Sequence, residues 1–546
     1  MPFLNLILRE MQRSPQRMAF MSALSGTSTA AILFLIQAGA SSSDDEKSTW
    51  LYAVLFIVAL VTFYKAQQYI LVAATVEIET IIHKLRIRLM DQVRRSELLA
   101  LDAIGRAMIV NAITRETQTM RQAAEMLGFV LQGVVLIVFV VAYIGYLSVT
   151  ALVIMLTVMI LSIPLFRAAG KRLAEEQFRA TEWDHRLFDR LSDLLDGFKE
   201  VRLNAARSEA LFNDIVEVSR AGAELKIKTQ TDTFRHLVLV QSSVYILIGI
   251  MVFAVPTFTN SAGSSLVKIA TALLFVAGAF WGAVQFLPIL LAADGAARNT
   301  LRLEEQLRET VVAPDAAARP PPQRFETIEL RDVSFHYREK YSDTAFSIGP
   351  IDFTLRAGEL VFIMGGNGSG KSTFFKVLAG LYKPDSGQFL LDGRPVTDRN
   401  RDAYRSLITA IFADYHLFHK LYGIFDPDMG RIRQLLAELG LADKTQVVDG
   451  EFKTVDLSSG QRKRLGLIVS LLEKRPIMLL DEWPAEQDPE YRRKFYHELL
   501  PEFIRAGLTV VAISHDDRYI DEAHLAARVI RMEEGRVVDQ RTLEPA

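Results

Sequence analysis

The sequence predicts a helical membrane domain followed by an α/β nucleotide-binding domain. Three observations carry that expectation. The first 300 residues hold six long apolar stretches, a glycine-rich segment at 365–372 sits between a strand-like and a helix-like run, and a proline-rich break separates the two regions.

The chain has 546 residues, 50% of them hydrophobic, which is high for a wholly soluble protein and long enough for two or three domains. Its net charge of -2 gives no general basicity that would draw nucleic acid. With no cysteine, the chain lacks disulfides, thiolate metal sites and cysteine nucleophiles.

The apolar stretches fall at 18–37, 50–74, 127–146, 149–166, 237–258 and 266–291. Each is near the ~20 residues a helix needs to cross a hydrocarbon core. The first is diluted by Ser22, Ser25, Thr27, Ser28 and Thr29 and preceded by Arg9, Arg13 and Arg17. Those features also describe a cleaved leader, but the apolar run exceeds the usual signal core of about 7–15 residues, so a retained span is expected. The segments 75–126 and 167–236 are rich in Arg and Lys, whereas 38–49 carries Lys47 against Asp44, Asp45 and Glu46. The long segments, and both termini, are therefore expected on the cytoplasmic side. Apolar residues at helical spacing, such as Phe188, Leu191, Leu194, Leu195 and Phe198, make these segments inward continuations of the membrane helices. The midpoints of these segments put candidate relay tips near 102–105 and 204–208.

Residues 311–323 change character abruptly, since prolines stiffen the chain and remove donors. The expected division is a membrane domain at 1–310, a linker at 311–323 and a nucleotide-binding domain at 324–546. From 324 onward, strand-like and helical runs alternate, as in an α/β domain.

Gly365, Gly366, Asn367, Gly368, Ser369, Gly370, Lys371 and Ser372 fit the P-loop pattern, after an apolar strand and before a helix that begins near Thr373. The glycines let backbone N–H groups face phosphate oxygens at a helix N-terminus that favours anions. Lys371 is placed to reach the β- and γ-phosphates of ATP, and Ser372 to hold Mg2+. Residues 476–482 form an apolar strand ending in two acids: Asp481 for Mg2+ and Glu482 to orient or deprotonate the attacking water.

Between these lies Leu457-Ser458-Ser459-Gly460-Gln461, which resembles the LSGGQ signature of ABC ATPases. The resemblance extends to Tyr337 as the adenine-stacking aromatic, Asp488 as the D-loop acid and His515 as the switch histidine. It covers nearly the whole chain, including residues 197–204, similar to a segment of exporter intracellular loops. It implies a six-helix ABC exporter half-transporter, in which ATP is held between the P-loop of one ATPase domain and the signature of a second identical subunit. The segments GGNGSGKST, DEWPAEQDP and ISHDDRY further resemble a bacterial subfamily exporting cyclic peptides, microcins and siderophore precursors. That implies a peptide cargo, with a lipid flippase or multidrug exporter as one alternative and an ATP-gated channel or signalling protein as another. It also implies an inner-membrane location, lipid contact, and no nucleic-acid partner.

Two departures stand out. Where most ABC ATPases carry a Mg2+-contacting glutamine this chain has Ala413, and Asp414 is expected to take its role. Ser459 stands where glycine is usual. For the cargo cavity, Gln132, Gln241, Gln285, Phe280 and Trp281 are candidates, although helix-to-helix packing and lipid contact are the favoured account of them.

Overall fold

A computed structural model describes residues 1–11, 15–41, 46–158, 186–254, 263–310, 324–337, 346–522 and 525–543, with Ile160 and Trp183. The chain forms two compact units: Met1–Gln92 with Arg106–Gln306, and Val93–Gly105 with Leu307–Ala546.

The first unit is helical. Among the described residues, four helices are long and apolar enough to cross a membrane: Gln16–Gly39, Lys47–Arg95, Arg106–Leu147 and Val267–Thr310. The expected fourth and fifth spans correspond to the shorter apolar helices Val149–Val158 and Gln241–Phe253, with the rest of 149–166 and 237–258 largely outside the described residues. The polar first span is compatible with its setting because the hydroxyls of Thr27, Ser28 and Thr29 donate to carbonyls one turn back, at 2.8, 2.7 and 2.9 Å. Such back-bonding satisfies the hydroxyl within its own helix. Ser25 Oγ instead donates to Gln67 Oε1 at 3.0 Å on the next helix.

Small residues bring these helices together. A Cβ on Gly26 would lie 2.6 Å from Val135 Cγ1, and one on Gly128 would lie 2.8 Å from Ile70 Cγ2. Close approach of this kind is how membrane helices gain packing where no hydrophobic effect separates them from lipid. Gln132 Nε2 lies 3.4 Å from Thr29 Oγ1, a helix-to-helix contact, and Gln241 Nε2 donates to Tyr245 Oη at 3.2 Å. At the N-terminus, Pro2–Glu10 buries Phe3, Leu6 and Ile7, and Arg88 pairs with both Glu10 at 3.0 Å and Glu304 at 2.7 Å.

The second unit is built on two sheets. An antiparallel sheet runs β2-β1-β4-β5, from β1 (Thr327–Tyr337), β2 (Phe346–Arg356), β4 (Ser386–Leu391) and β5 (Arg394–Pro395). The larger sheet is ordered β12-β11-β3-β10-β9-β6. It contains β3 (Leu360–Met364), β6 (Ile408–Ile411), β9 (Ile477–Asp481), β10 (Thr509–Ile513), β11 (Ala527–Glu533) and β12 (Arg536–Leu543). All of these but the edge strand β12 run parallel. A two-residue pair, β7 (Val447–Val448) and β8 (Glu451–Phe452), stands apart. Strands β3, β9 and β10 are buried at every position, which explains why they read as unbroken apolar runs rather than alternating ones.

Residues 93–105 belong with this unit. Leu98 and Leu99 pack against the core that contains Phe389 and Tyr404, while Glu97 accepts from Arg405 Nη2 at 2.8 Å and lies 3.5 Å from Arg401 Nη1. The short helix Leu98–Ile104 then ends at Gly105, whose φ of 87° suits a residue without a Cβ.

Trp483 is fully buried against Phe495, with ring centroids 4.8 Å apart, and its Nε1 donates to the Lys463 carbonyl at 2.9 Å. Trp483→Ala should cost about 3–5 kcal/mol, the usual range for emptying a large aromatic site. Urea unfolding of the purified protein followed by circular dichroism checks this, and an unchanged midpoint would contradict it.

Candidate nucleotide site

The parallel sheet brings the predicted chemistry to one edge. Its strands end at Met364, Ile411, Asp481 and Ile513, and the next residues are the P-loop, the Ala413–Asp414 turn, Glu482 and His515. In open α/β sheets the crevice beyond the carboxyl ends of the strands is where ligands bind.

The P-loop needs its glycines. Gly365, Gly368 and Gly370 have φ of 148°, 77° and 97°, and a Cβ on Gly365 would fall 2.2 Å from the Met532 carbonyl oxygen. The helix Lys371–Leu378 starts directly after it, with Thr373 in its first turn. Lys371 Nζ donates to the carbonyls of Gly365 at 3.0 Å and Gly366 at 2.9 Å. Burial pushes its pKa below the ordinary lysine range, against the raising pull of Glu482 and then Asp481. Ser369 Oγ is buried and has no hydrogen-bond partner, a donor left available inside an anion-shaped loop. These residues fit a polyphosphate, which would supply acceptors for the lysine and for the loop N–H groups.

Asp481 is 3% exposed at the end of β9. Burial, followed by the charge of Glu482, pushes its pKa above the usual carboxylate range; the Ala413 N–H, Lys463 and the Ser372 hydroxyl oppose that rise. The hydroxyl of Ser372 and the carboxylate of Asp481 are therefore neighbouring oxygens. Among the described residues no group of three or more His, Asp or Glu side chains forms a metal cage. Mg2+ typically takes one or two carboxylates and completes its shell with phosphate and water, so this pair suits a cation that arrives with nucleotide. Asp414 lies exposed in the turn after β6, one residue beyond the Ala413 N–H that meets Asp481.

Glu482 adopts φ 50°, a left-handed conformation that a residue with a side chain seldom takes. Its Oε1 lies 3.1 Å from His515 Nε2. The two residues predicted to act on water and γ-phosphate are thus in direct contact. Tyr337 ends β1, packs partly against the core and pairs across the ladder with Phe346. The Phe346 ring in turn lies 3.3 Å from where a Cβ on Gly370 would stand, so Tyr337 is one strand away from the P-loop.

Ser458 caps the helix Ser459–Leu472 in a reciprocal arrangement. Its Oγ accepts from the Gln461 N–H at 3.4 Å, and Gln461 Oε1 accepts from the Ser458 N–H at 3.1 Å. Asp488 caps Pro489–Lys494 by accepting from the Tyr491 N–H at 3.0 Å. Among the described residues no hydrogen bond or ion pair joins 458–461 to 365–373 within the chain.

Sequence reasoning passed over Lys463, Trp483 and Glu486, which bind the signature helix to the segment after Glu482. The available signal was a lysine on the apolar face of that helix, since a charge there requires a partner.

Residues 348–485 match the ABC transporter family. The chain is also 33% identical to the ATP-binding protein SyrD of Pseudomonas syringae pv. syringae over 537 residues, 94% of this chain and 92% of that protein. This chain belongs to the ABC transporter family. A bacterial Atm1-family ABC exporter solved with ATP bound shares its fold, with a TM-score of 0.77 at 17% identity, covering 96% of this chain and 94% of that one. An ATP-dependent lipid A-core flippase of Paraburkholderia xenovorans is 29% identical over 238 residues, 41% of this chain and 39% of the flippase. The transporter is thus a multi-pass membrane protein of exporter architecture, whose ATPase domain binds ATP and couples its hydrolysis to transport.

The raised pKa of Asp481 has a readable consequence. A carboxyl group binds a divalent cation only when ionised, so if Asp481 holds the cation, the KM for the cation–ATP complex, measured at constant free Mg2+, should rise as pH falls. This rise should begin above the ordinary aspartate range of about 4. A KM that stays flat down to that range would show Asp481 to be an ordinary carboxylate.

Proposed function

We propose that this transporter exports a modified or cyclic peptide across the inner membrane as a homodimer, with its ATPase domain in the cytoplasm. The observation that carries the reading is the division of labour within one chain. The P-loop, Asp481, Glu482 and His515 gather at one sheet edge, while Ser458, Ser459, Gly460 and Gln461 form no bond with that P-loop. A second copy supplies the missing half. Asp488 and Tyr337 then complete the two walls of the nucleotide site.

In this mechanism Lys371 and the loop N–H groups hold the phosphates of ATP. Glu482 accepts a proton from the attacking water, and His515 orients Glu482 and reaches the γ-phosphate. A magnesium ion held by Ser372, Asp481 and Asp414 would neutralise charge on the phosphates. ATP must bind the closed dimer more tightly than the open one, because a ligand shifts an equilibrium only by its differential affinity. We infer that residues 93–105 carry that closure toward the membrane helices; the inference is supported by Glu97, Leu98 and Leu99 being built into the ATPase unit itself. A cytoplasmic ATPase domain follows from the Arg- and Lys-rich long segments.

Peptide cargo is supported by GGNGSGKST, DEWPAEQDP and ISHDDRY. The flippase reading is weaker, since that similarity reaches only 41% of the chain and 39% of the flippase.

Glu482→Gln should keep ATP binding and slow turnover by at least about 100-fold, the usual loss with a general base. Near-normal hydrolysis would move the role elsewhere. Asp414→Ala should lower the ATPase rate and raise its Mg2+ requirement, and an unchanged Mg2+ dependence would remove Asp414 from the metal set. The cargo is tested in inside-out vesicles with extracts of the producing cell. ATP-dependent uptake of a peptide is expected, and uptake of labelled lipid alone would favour the flippase.

A further inference from the structure

Ser459 stands where the family usually has glycine, and a glycine there could offer no hydroxyl. In this chain that hydroxyl stands beside the carboxylate of Glu486, four residues beyond Glu482, and helps to hold it ionised. The same carboxylate lies 2.9 Å from Lys463 Nζ. Lys463, first of all, and then Ser459 hold the Glu486 pKa below the usual carboxylate range. Lys463 is 5% exposed, and a buried ammonium is tolerated only when paired and hydrogen-bonded. Its second bond is the informative one, because Nζ also donates to the main-chain carbonyl of Glu482 at 3.3 Å.

The surrounding contacts hold the same two segments together. Trp483 Nε1 donates to the Lys463 carbonyl at 2.9 Å, and Gln487 Nε2 donates to the Gly460 carbonyl at 3.1 Å. A Cβ on Gly460 would fall 2.7 Å from the Glu486 carbonyl oxygen, so the two backbones are in direct contact. Glu482, held at φ 50°, keeps an unfavourable backbone conformation only because its surroundings fix it. Its N–H donates to the Ile513 carbonyl at 3.2 Å, and its own carbonyl is held by Lys463.

We propose that Ser459, Glu486 and Lys463 form a positioning relay that locks the signature turn to the backbone of Glu482. The inference rests on the reading of Glu482 as general base and of the signature as facing the partner's nucleotide. Lys463 and Glu486 touch no reacting atom; they are positioning residues. Because the signature serves one ATP site of the dimer and Glu482 the other, the relay makes the geometry of each base depend on nucleotide contact at the opposite site. Hydrolysis at the two sites is therefore coupled through side chains of a single subunit.

The test uses the full-length protein in lipid nanodiscs, with Glu486→Gln, Ser459→Gly and the double variant. Glu486→Gln retains shape and hydrogen-bonding capacity at a half-exposed position but loses the charge that holds Lys463. Its kcat should fall roughly tenfold to a hundredfold, as expected for a misplaced base, with the KM for ATP within about twofold of the parent. The Hill coefficient for ATP should fall toward one. The double variant should be no slower than Glu486→Gln alone, since both changes break one connected unit. Glu486→Asp, which restores the charge, should recover part of kcat. A kcat for Glu486→Gln within about twofold of the parent, or losses that simply multiply in the double variant, would overturn the relay. Glu482→Gln is assayed alongside: if that protein hydrolyses ATP normally, the reading of the site fails, whatever the relay variants show.

Discussion

The register of β9 between β10 and β6 is the constraint on which the catalytic edge depends. Asp481 is aligned with Ile513, and Leu480 with Ile411, so the chain leaves all three strands at one level. His515 then comes two residues after β10 and Ala413 two residues after β6, both within reach of the Asp481–Glu482 pair. A slip of one residue would turn every side chain of β9 to the opposite face. It would also carry Asp481 away from Ser372 and the P-loop helix. Burial of β3, β9 and β10 on both faces opposes such a slip through packing, because each side chain occupies a fitted place in a close-packed core.

Burial also gives the site its electrostatic character. Lys371 and Asp481 are both removed from water, and each is pushed toward its neutral form by desolvation. The charges of Glu482 and Asp481 oppose the shift at Lys371 only in part, so the site is poised for a ligand bringing both negative phosphate and a positive ion. The unpartnered Ser369 hydroxyl belongs to the same pattern of capacity held in reserve.

Much of the catalytic edge is legible in the order of residues alone. The P-loop and the strand-end acids are contiguous segments whose chemistry follows from residue type and spacing, and glycine positions such as Gly365 and Gly370 have a steric reason that a pattern captures. The apolar spans are legible for the same reason, as a length set by bilayer thickness. What escapes is non-local. Nothing near Lys463 in the sequence announces that its partner is Glu486, 23 positions further on. Nothing in Ala413 announces a useful main-chain N–H, since every residue but proline carries one. Asp488 and Ser458 illustrate the converse, because each helix cap can be read locally, whereas the part proposed for them in a shared nucleotide site would depend on another chain.

The assignment of residues 93–105 to the ATPase unit has a practical corollary. Cutting the chain at its proline-rich break would yield a fragment deprived of a piece of its own interior. Leu98 and Leu99 would no longer cover the aromatic cluster, and Arg401, whose side chain is 7% exposed, would keep Asp398 but lose Glu97. An excised catalytic half would thus present to solvent a greasy, positively charged scar where that borrowed piece normally plugs in, and its solubility and behaviour in isolation would report on that wound as much as on the enzyme.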